Sequence, residues 1–458
     1  MKRVLITFYL ASLVIAGFFI RLDNFQRAQI VTTDENVYYR LGLQLKNNFL
    51  DYNTLPYADD AREQGRTALP TYFTEPLFKH PPLFPFLISQ ALRWWGETGI
   101  SAAAVSILFG VLMIPLTYAL ALLIFGDRWI SLAAAFFLFL DPIHMISSQK
   151  IWMESTLSFF MLMTIYLFLY GLKHKKDFFF LLSGLSSGLA FLTKYPGILS
   201  TLSIVLYSMA FHRELFKKSF FRISLILPFL MILPWGYWNY QIYGMHFILE
   251  QFSIHEFDIT YSHTFPIIGG LLIIFIGAAL LYNRRIKITL PKTPWRFILS
   301  LLFCGLLIKQ MLQGFDPQHI PISGWAHAPL FGDANFLFYF GRLLEFSPLY
   351  FLVFLSFFKK NPIENTYLPI LKISAGMILL FYSLWGGFQS RYILASIPFL
   401  IILGVWLWQE LWTATFKQPC PYRKHGAQIL LIILMVFIIY KTLFINFLMS
   451  FSNNLCYF

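Results

Sequence analysis

The chain has 458 residues, of which 58% are hydrophobic, 12% charged and 52 are Phe, with a formal net charge of +13. This balance excludes an ordinary soluble domain. The Lys and Arg fall in short clusters between apolar runs, as in cytoplasmic loops, so no nucleic-acid partner is expected. Cys304, Cys420 and Cys456 lie far apart and suggest neither a disulfide framework nor a metal knuckle.

Lipid leaves no water to satisfy a backbone, and the long apolar runs suit helices better than short alternating strands. The predicted class is all-α, a polytopic integral membrane protein. The first run, MKRVLITFYLASLVIAGFF, would also pass for a signal peptide. It is read as a retained first span whose Lys2 and Arg3 keep the N-terminus in the cytoplasm.

A polar external loop over 21–99 follows, and it carries two predicted interfacial helices. One covers 36–49, with Val37, Leu41, Leu45 and Phe49 at helical spacing; the other covers 82–95, with Trp94 and Trp95 at headgroup level. Counting 82–95 as a crossing would move every later basic loop to the outside.

Further apolar runs lie near 100–124, 129–147, 155–171, 178–193, 196–211 and 221–238, and then near 265–282, 297–313, 347–358, 368–384, 392–411 and 428–449. With the first run they make about thirteen spans, some shorter than the ~20 residues of a straight crossing. The connections expected inside carry Arg128, then Lys173, Lys175 and Lys176, then Arg213, Lys217 and Lys218. Arg284, Arg285 and Lys287 follow, then Lys359 and Lys360, then Arg423 and Lys424, in the alternation of the positive-inside rule. Asp34, Glu35, His80, Glu154, Lys194 and Arg391 all fall on the other side, where one active site at the membrane face could gather them.

Each of these has a structural and a chemical use. In VTTDENVYY, Thr33 or Asp34 fits the cap of a helix beginning near Asn36, and an acid there equally fits a general base. In KHPPLFPFL the Pro81-Pro82 pair suits a helix start, while Lys79 and His80 are interfacial anchors or cationic donors. Glu154, at the head of a span in QKIWMESTLSFF, fits the helix dipole or a second acid. Lys194 in GLAFLTKYPGIL and Arg391 in GGFQSRYILASIPFL either snorkel or hold a lipid phosphate. His255–His263 and Phe315–Phe336 offer His and Asp without the fixed spacing of a zinc motif, so a divalent metal is not supported by the sequence.

The acidic pair after the first span, the HPPL segment, the acid heading a later span and the GLAFLTK segment together resemble the GT-C glycosyltransferases. The chain is most similar to the branch of protein O-mannosyltransferases and aminoarabinose transferases. RYILASIPFL is similar to that branch's RY-x-LP-x-x-P stretch, with Ala395 and Ser396 in place of Leu-Pro. The resemblance covers best residues 1 to about 240, taken as a catalytic membrane module, and 241–458 is taken as a variable transmembrane region with short external loops.

The resemblance implies sugar transfer from a polyprenyl-phosphate donor by direct displacement with inversion. It implies Asp34 as the base activating the acceptor, Glu35 as its support and Glu154 as a second acid. Lys194 and Arg391 would hold the lipid phosphate, with Lys79 and His80 near the same pocket. Neither a nucleotide site nor any required cofactor follows, and the acceptor stays open among lipid, glycan and protein. The implied setting is a bacterial inner membrane, with the site facing the periplasm or exterior. Two other classes compete: a transporter or flippase of lipid-linked sugars, and a non-catalytic membrane protein of envelope assembly.

Overall fold

The computed structural model describes residues 2–28, 32–54, 56, 80–245, 327–328, 332–333, 338–358, 366–385, 389–416 and 421–451. Among these the chain is helical, apart from a two-residue antiparallel ladder pairing His327–Ala328 with Gly332–Asp333. The first span is longer than its apolar run: α1 is Lys2–Ala28, so the external loop is correspondingly shorter than 21–99. Val4, Phe8 and Phe19 on α1 are exposed, as side chains facing lipid must be.

Two short helices then pack on each other: α2, Thr33–Asn47, and α3, Leu83–Trp95. Val37, Leu41 and Leu45 share one face as their spacing predicts, and that face is buried in the protein in one cluster with Tyr52 and Trp235, but α2 ends before Phe49, which is exposed. Gly42 is where the two helices meet, since a Cβ there would lie 2.4 Å from Ile88 Cγ2. The 13 residues of α3 reach only about 20 Å, short of a ~30 Å hydrocarbon core. Its Phe84, Ile88 and Leu92 face inward while Trp94 and Trp95 are exposed, which fits a helix lying along the interface.

The bundle continues with α4, Gly99–Phe125; α5, Arg128–Leu140; α6, Pro142–Gln149; α7, Glu154–His174; α8, Phe178–Thr193; α9, Leu199–Phe211; and α10, Ser219–Tyr243. Further on come α11, Phe338–Phe346; α12, Leu349–Phe358; α13, Leu368–Trp385; α14, Ile397–Phe416; and α15, Pro421–Phe451. Six helices among the described residues are long and apolar enough to cross a membrane, or seven if the bent pair α5 and α6 is one span. Phe178–Thr193, Tyr195–Phe211 and Leu368–Ser383 are shorter apolar helices. The runs expected near 265–282 and 297–313 lie outside the described residues, as do all three cysteines.

Two expected spans are not straight helices. The run 129–147 breaks at Asp141 with a 56° bend. Pro142 lacks the N–H that would continue α5, and Asp141 caps α6 by accepting from the His144 N–H at 2.9 Å and from the Tyr350 hydroxyl at 2.6 Å. The run 392–411 begins instead as a 3-10 turn over Ser390–Ser396, and α14 starts only at Ile397.

Among the described residues, the basic connections after α4, α7 and α9 gather at one end of the bundle. Lys173 Nζ donates to the Leu123 carbonyl, Lys218 pairs with Asp177 at 2.7 Å, and Gln409 reaches Asp127 at 3.2 Å. The 21 residues of α7 carry the chain about 31 Å from that end to the other, one hydrocarbon thickness. The candidate residues lie at this second end.

Candidate functional site

The start of α2 decides which acid is free. The helix begins at Thr33, not near Asn36, and its cap is Thr32, in extended conformation. The Thr32 hydroxyl accepts from the Glu35 N–H at 3.2 Å, and Glu35 Oε2 accepts from the Thr32 N–H at 3.0 Å, a reciprocal capping box. The cap expected at Thr33 or Asp34 therefore falls one or two residues earlier. Because the box uses Thr32 and Glu35, Asp34 is left to project elsewhere.

Asp34 accepts a hydrogen bond from Arg391 Nη2. Arg391 lies in the 3-10 turn before α14, where its Nε donates to Gln389 Oε1 at 2.6 Å and stands 4.0 Å from Glu154 Oε1. Lys194 Nζ, in the extended residue between α8 and the 3-10 turn Tyr195–Ile198, lies 2.9 Å from the same Glu154 oxygen. Arg391 thus stands between the two acids, and Glu154 shares itself between two cations. Two aromatic faces shape the cluster: the Arg391 guanidinium sits 4.4 Å from the Trp152 ring centroid, and Lys194 Nζ 4.2 Å from that of Tyr392.

Exposure separates the members. Arg391 and Glu154 side chains are 6% and 4% exposed and Lys194 19%, whereas Asp34 is 38% exposed and so the acid that an external molecule meets first. Burial pushes the Asp34 carboxyl up, but the Arg391 guanidinium bonded to it, with His80 and Lys194 nearby, outweighs this and holds it below the usual carboxylate range. An ionised Asp34 is a proton acceptor.

His80 adjoins the cluster, its ring edge-on to Tyr38 at 5.4 Å and its Nδ1 3.4 Å from the Tyr38 hydroxyl. Tyr52 OH donates to the His80 carbonyl at 2.8 Å, which ties the segment before α3 to the start of the loop after α2. Lys79 lies outside the described residues. Glu35 is set apart from the cluster: it is fully buried, its Oε1 accepts from the Ile151 N–H at 3.3 Å, and its Oε2 lies 3.7 Å from Lys150 Nζ.

Trp152, Tyr392, Gln389 and Lys150 were not among the expected residues. Adjacency was the available signal, since Tyr392 follows Arg391, and Lys150 and Trp152 precede Glu154 within five residues of sequence. Among the described residues no three His, Cys, Asp or Glu side chains come together as metal ligands. Asp34, Glu35 and Glu154 each face a side-chain cation. The His255–His263 and Phe315–Phe336 loops lie outside the described residues apart from the short ladder.

The helical bundle that brings these four chain segments together is similar in fold to solved membrane proteins. The chain is similar over 97% of its length to ArnT from Cupriavidus metallidurans bound to undecaprenyl phosphate, with a TM-score of 0.51 and 14% identity, covering 75% of that chain. The archaeal oligosaccharyltransferase AglB from Archaeoglobus fulgidus, in complex with an inhibitory peptide and a dolichol-phosphate, matches at a TM-score of 0.54 and 16% identity, over 97% of this chain and 56% of that one. The chain has the GT-C fold. Within that fold, residues 79–238 match the family model of dolichyl-phosphate-mannose-protein mannosyltransferases. This stretch holds His80, Glu154 and Lys194, and Asp34 and Arg391 flank it. An uncharacterized protein of Aquifex aeolicus is 27% identical over 198 residues, which span 42% of this chain and 40% of that relative's length.

Proposed function

We propose that this GT-C chain is a glycosyltransferase that moves a sugar from a polyprenyl-phosphate donor to an acceptor at the external face of a membrane. The observation that carries the reading is the Asp34, Arg391, Glu154 and Lys194 cluster at the end of the bundle opposite the basic connections. The fold supports it, being shared with ArnT bound to undecaprenyl phosphate and AglB bound to a dolichol-phosphate.

In this mechanism an acceptor hydroxyl or amine docks against the exposed edge of Asp34. Its heteroatom attacks the anomeric carbon from the face opposite the phosphate, and its proton passes to Asp34. The new bond to the sugar forms as the bond from anomeric carbon to phosphate oxygen breaks, and the leaving electron pair remains on the polyprenyl phosphate. One displacement inverts the anomeric centre. Arg391 and Lys194 stabilise the departing charge, which requires that they share their hold on the acids.

Charge balance explains why more cations are needed. Asp34 and Glu154 against Arg391 and Lys194 make a neutral cluster, so an arriving phosphate must be matched by others, a part assigned to Lys79 and His80. Glu35 supports the base from within the α2 cap, and Glu154 orients the two cations. The acceptor class is left to experiment among lipid, glycan and protein.

The test is sugar transfer by the purified protein from a panel of polyprenyl-phosphate sugars, with Asp34→Asn beside the wild type. Transfer by the wild type and its loss in Asp34→Asn support the reading. Equal transfer by the variant removes Asp34 as the base, and no transfer by the wild type with any donor removes the enzyme.

A further inference from the structure

Lys150 is the buried charge that the cluster does not use. Its side chain is fully buried, and its Nζ has no hydrogen-bond partner among the described residues. The nearest opposite charge is Glu35 Oε2 at 3.7 Å, also fully buried. An ammonium so enclosed cannot meet a lipid headgroup or an acceptor. Taking both ions out of water is costly, and a well-packed apolar pair of similar volume is often as stable or more so. Stability alone is therefore a poor account of this pair.

Its position supplies a better one. Glu35 is fastened on two sides, through Oε2 to Thr32 and through Oε1 to the Ile151 N–H. Trp152 Nε1 donates to Thr32 Oγ1 at 3.2 Å, closing the same junction from the other side. The junction clamps the first turn of α2 to the segment 150–153, which runs directly into Glu154 at the head of α7. Asp34 is the residue before Glu35, so once the box is clamped the helix sets the direction in which Asp34 projects. The clamped segment also carries the Trp152 ring on which Arg391 stacks.

We propose that Lys150 is a positioning residue for Asp34: by neutralising Glu35 inside the junction it fixes the first turn of α2, and with it the Asp34 carboxylate against Arg391. The proposal deepens the transferase reading and rests on it only where catalysis is concerned. The charged and titratable groups facing Asp34 are Arg391 from the 3-10 turn, Lys194 from the end of α8, His80 before α3 and Tyr38 one turn along α2. Glu154 reaches it across Arg391.

The experiment compares wild type, Lys150→Arg, Lys150→Met, Glu35→Gln and the double variant Glu35→Gln/Lys150→Met in lipid nanodiscs. Isotope-edited infrared titration reads the Asp34 carboxylate, identified by its loss in Asp34→Asn, and needs no turnover. Lys150→Met leaves Glu35 uncompensated, so the box loosens and the Asp34 titration moves up. Lys150→Arg keeps the charge, and the double variant keeps the box with a neutral Gln and a neutral partner, so both return the titration toward wild type. With the donor that the wild type turns over best, kcat in Lys150→Met falls about 10-fold or more while donor KM moves little, since misplaced reacting groups cost rate more than binding.

An unchanged Asp34 titration in Lys150→Met overturns the proposal, and so does a lowered Tm with kcat per folded molecule unchanged. Failure of the double variant to recover either readout overturns it as well. If Asp34→Asn is fully active, the transferase mechanism fails, while the titration series still decides the positioning role.

Discussion

The Asp34 carboxylate and the Arg391 guanidinium meet across 357 positions of sequence, joining the first turn of α2 to the turn that opens α14. The pair links the most exposed acid of the cluster with a cation buried against Trp152, so the proposed base and the proposed phosphate site are built on one contact.

Arg391→Lys should lower transfer at least about tenfold, a loss of about 1.4 kcal/mol in transition-state stabilisation. A lysine ammonium cannot reach Asp34 and Gln389 from one planar fork while stacking on Trp152. The kcat/KM of the purified variant checks this.

The acid limb of kcat/KM should lie below the ordinary carboxylate range, because Asp34 is held below it. A depressed folded value means that the ionised base, and the stability it contributes, is present above the unfolded value and lost as pH falls through the folded one. In Arg391→Gln burial acts with its main opponent removed, so the limb should move to higher pH. A pH series on both proteins with one donor decides it.

Lys194→Met should destabilise the protein by about 3 kcal/mol, since among the described residues it leaves the buried Glu154 carboxylate with Arg391 as its one cation. Glu154→Gln/Lys194→Met should recover most of that loss while remaining poor in transfer. Thermal unfolding in detergent reads the first effect and transfer the second.

Gly197→Ala should be costly for its size, by about 1–3 kcal/mol. A Cβ there would lie 2.3 Å from the Ala190 carbonyl carbon and 2.6 Å from the Phe191 nitrogen, both backbone atoms that cannot swing aside. The 3-10 turn next to Lys194 would shift, so donor KM should rise together with the fall in Tm.

A cysteine at Asn36 should react with an impermeant thiol reagent applied outside intact cells, and one at Lys175 should not. Asn36 sits in the first turn of α2 beside the site, and Lys175 is exposed at the far end of α7, about 31 Å away along the helix. The reverse labelling would overturn the orientation.

The sequence by itself determined the helical membrane class and the positions of many helices, and it grouped Asp34, His80, Glu154, Lys194 and Arg391, which lie together at one end of the bundle. These follow from hydropathy runs and basic clusters, which are local properties read a few residues at a time. The tertiary structure alone decided how those residues pair. A shift of one or two residues in the α2 cap gave Glu35 to the box and released Asp34, and the break at Asp141 turned an apparent straight span into two helices. The pairings of Asp34 with Arg391, Glu154 with Lys194 and Glu35 with Lys150 depend on which helix ends approach within a few ångströms. A charge chooses its partner by distance in a low-dielectric interior, and that distance is set by packing between segments hundreds of residues apart, which no local pattern records.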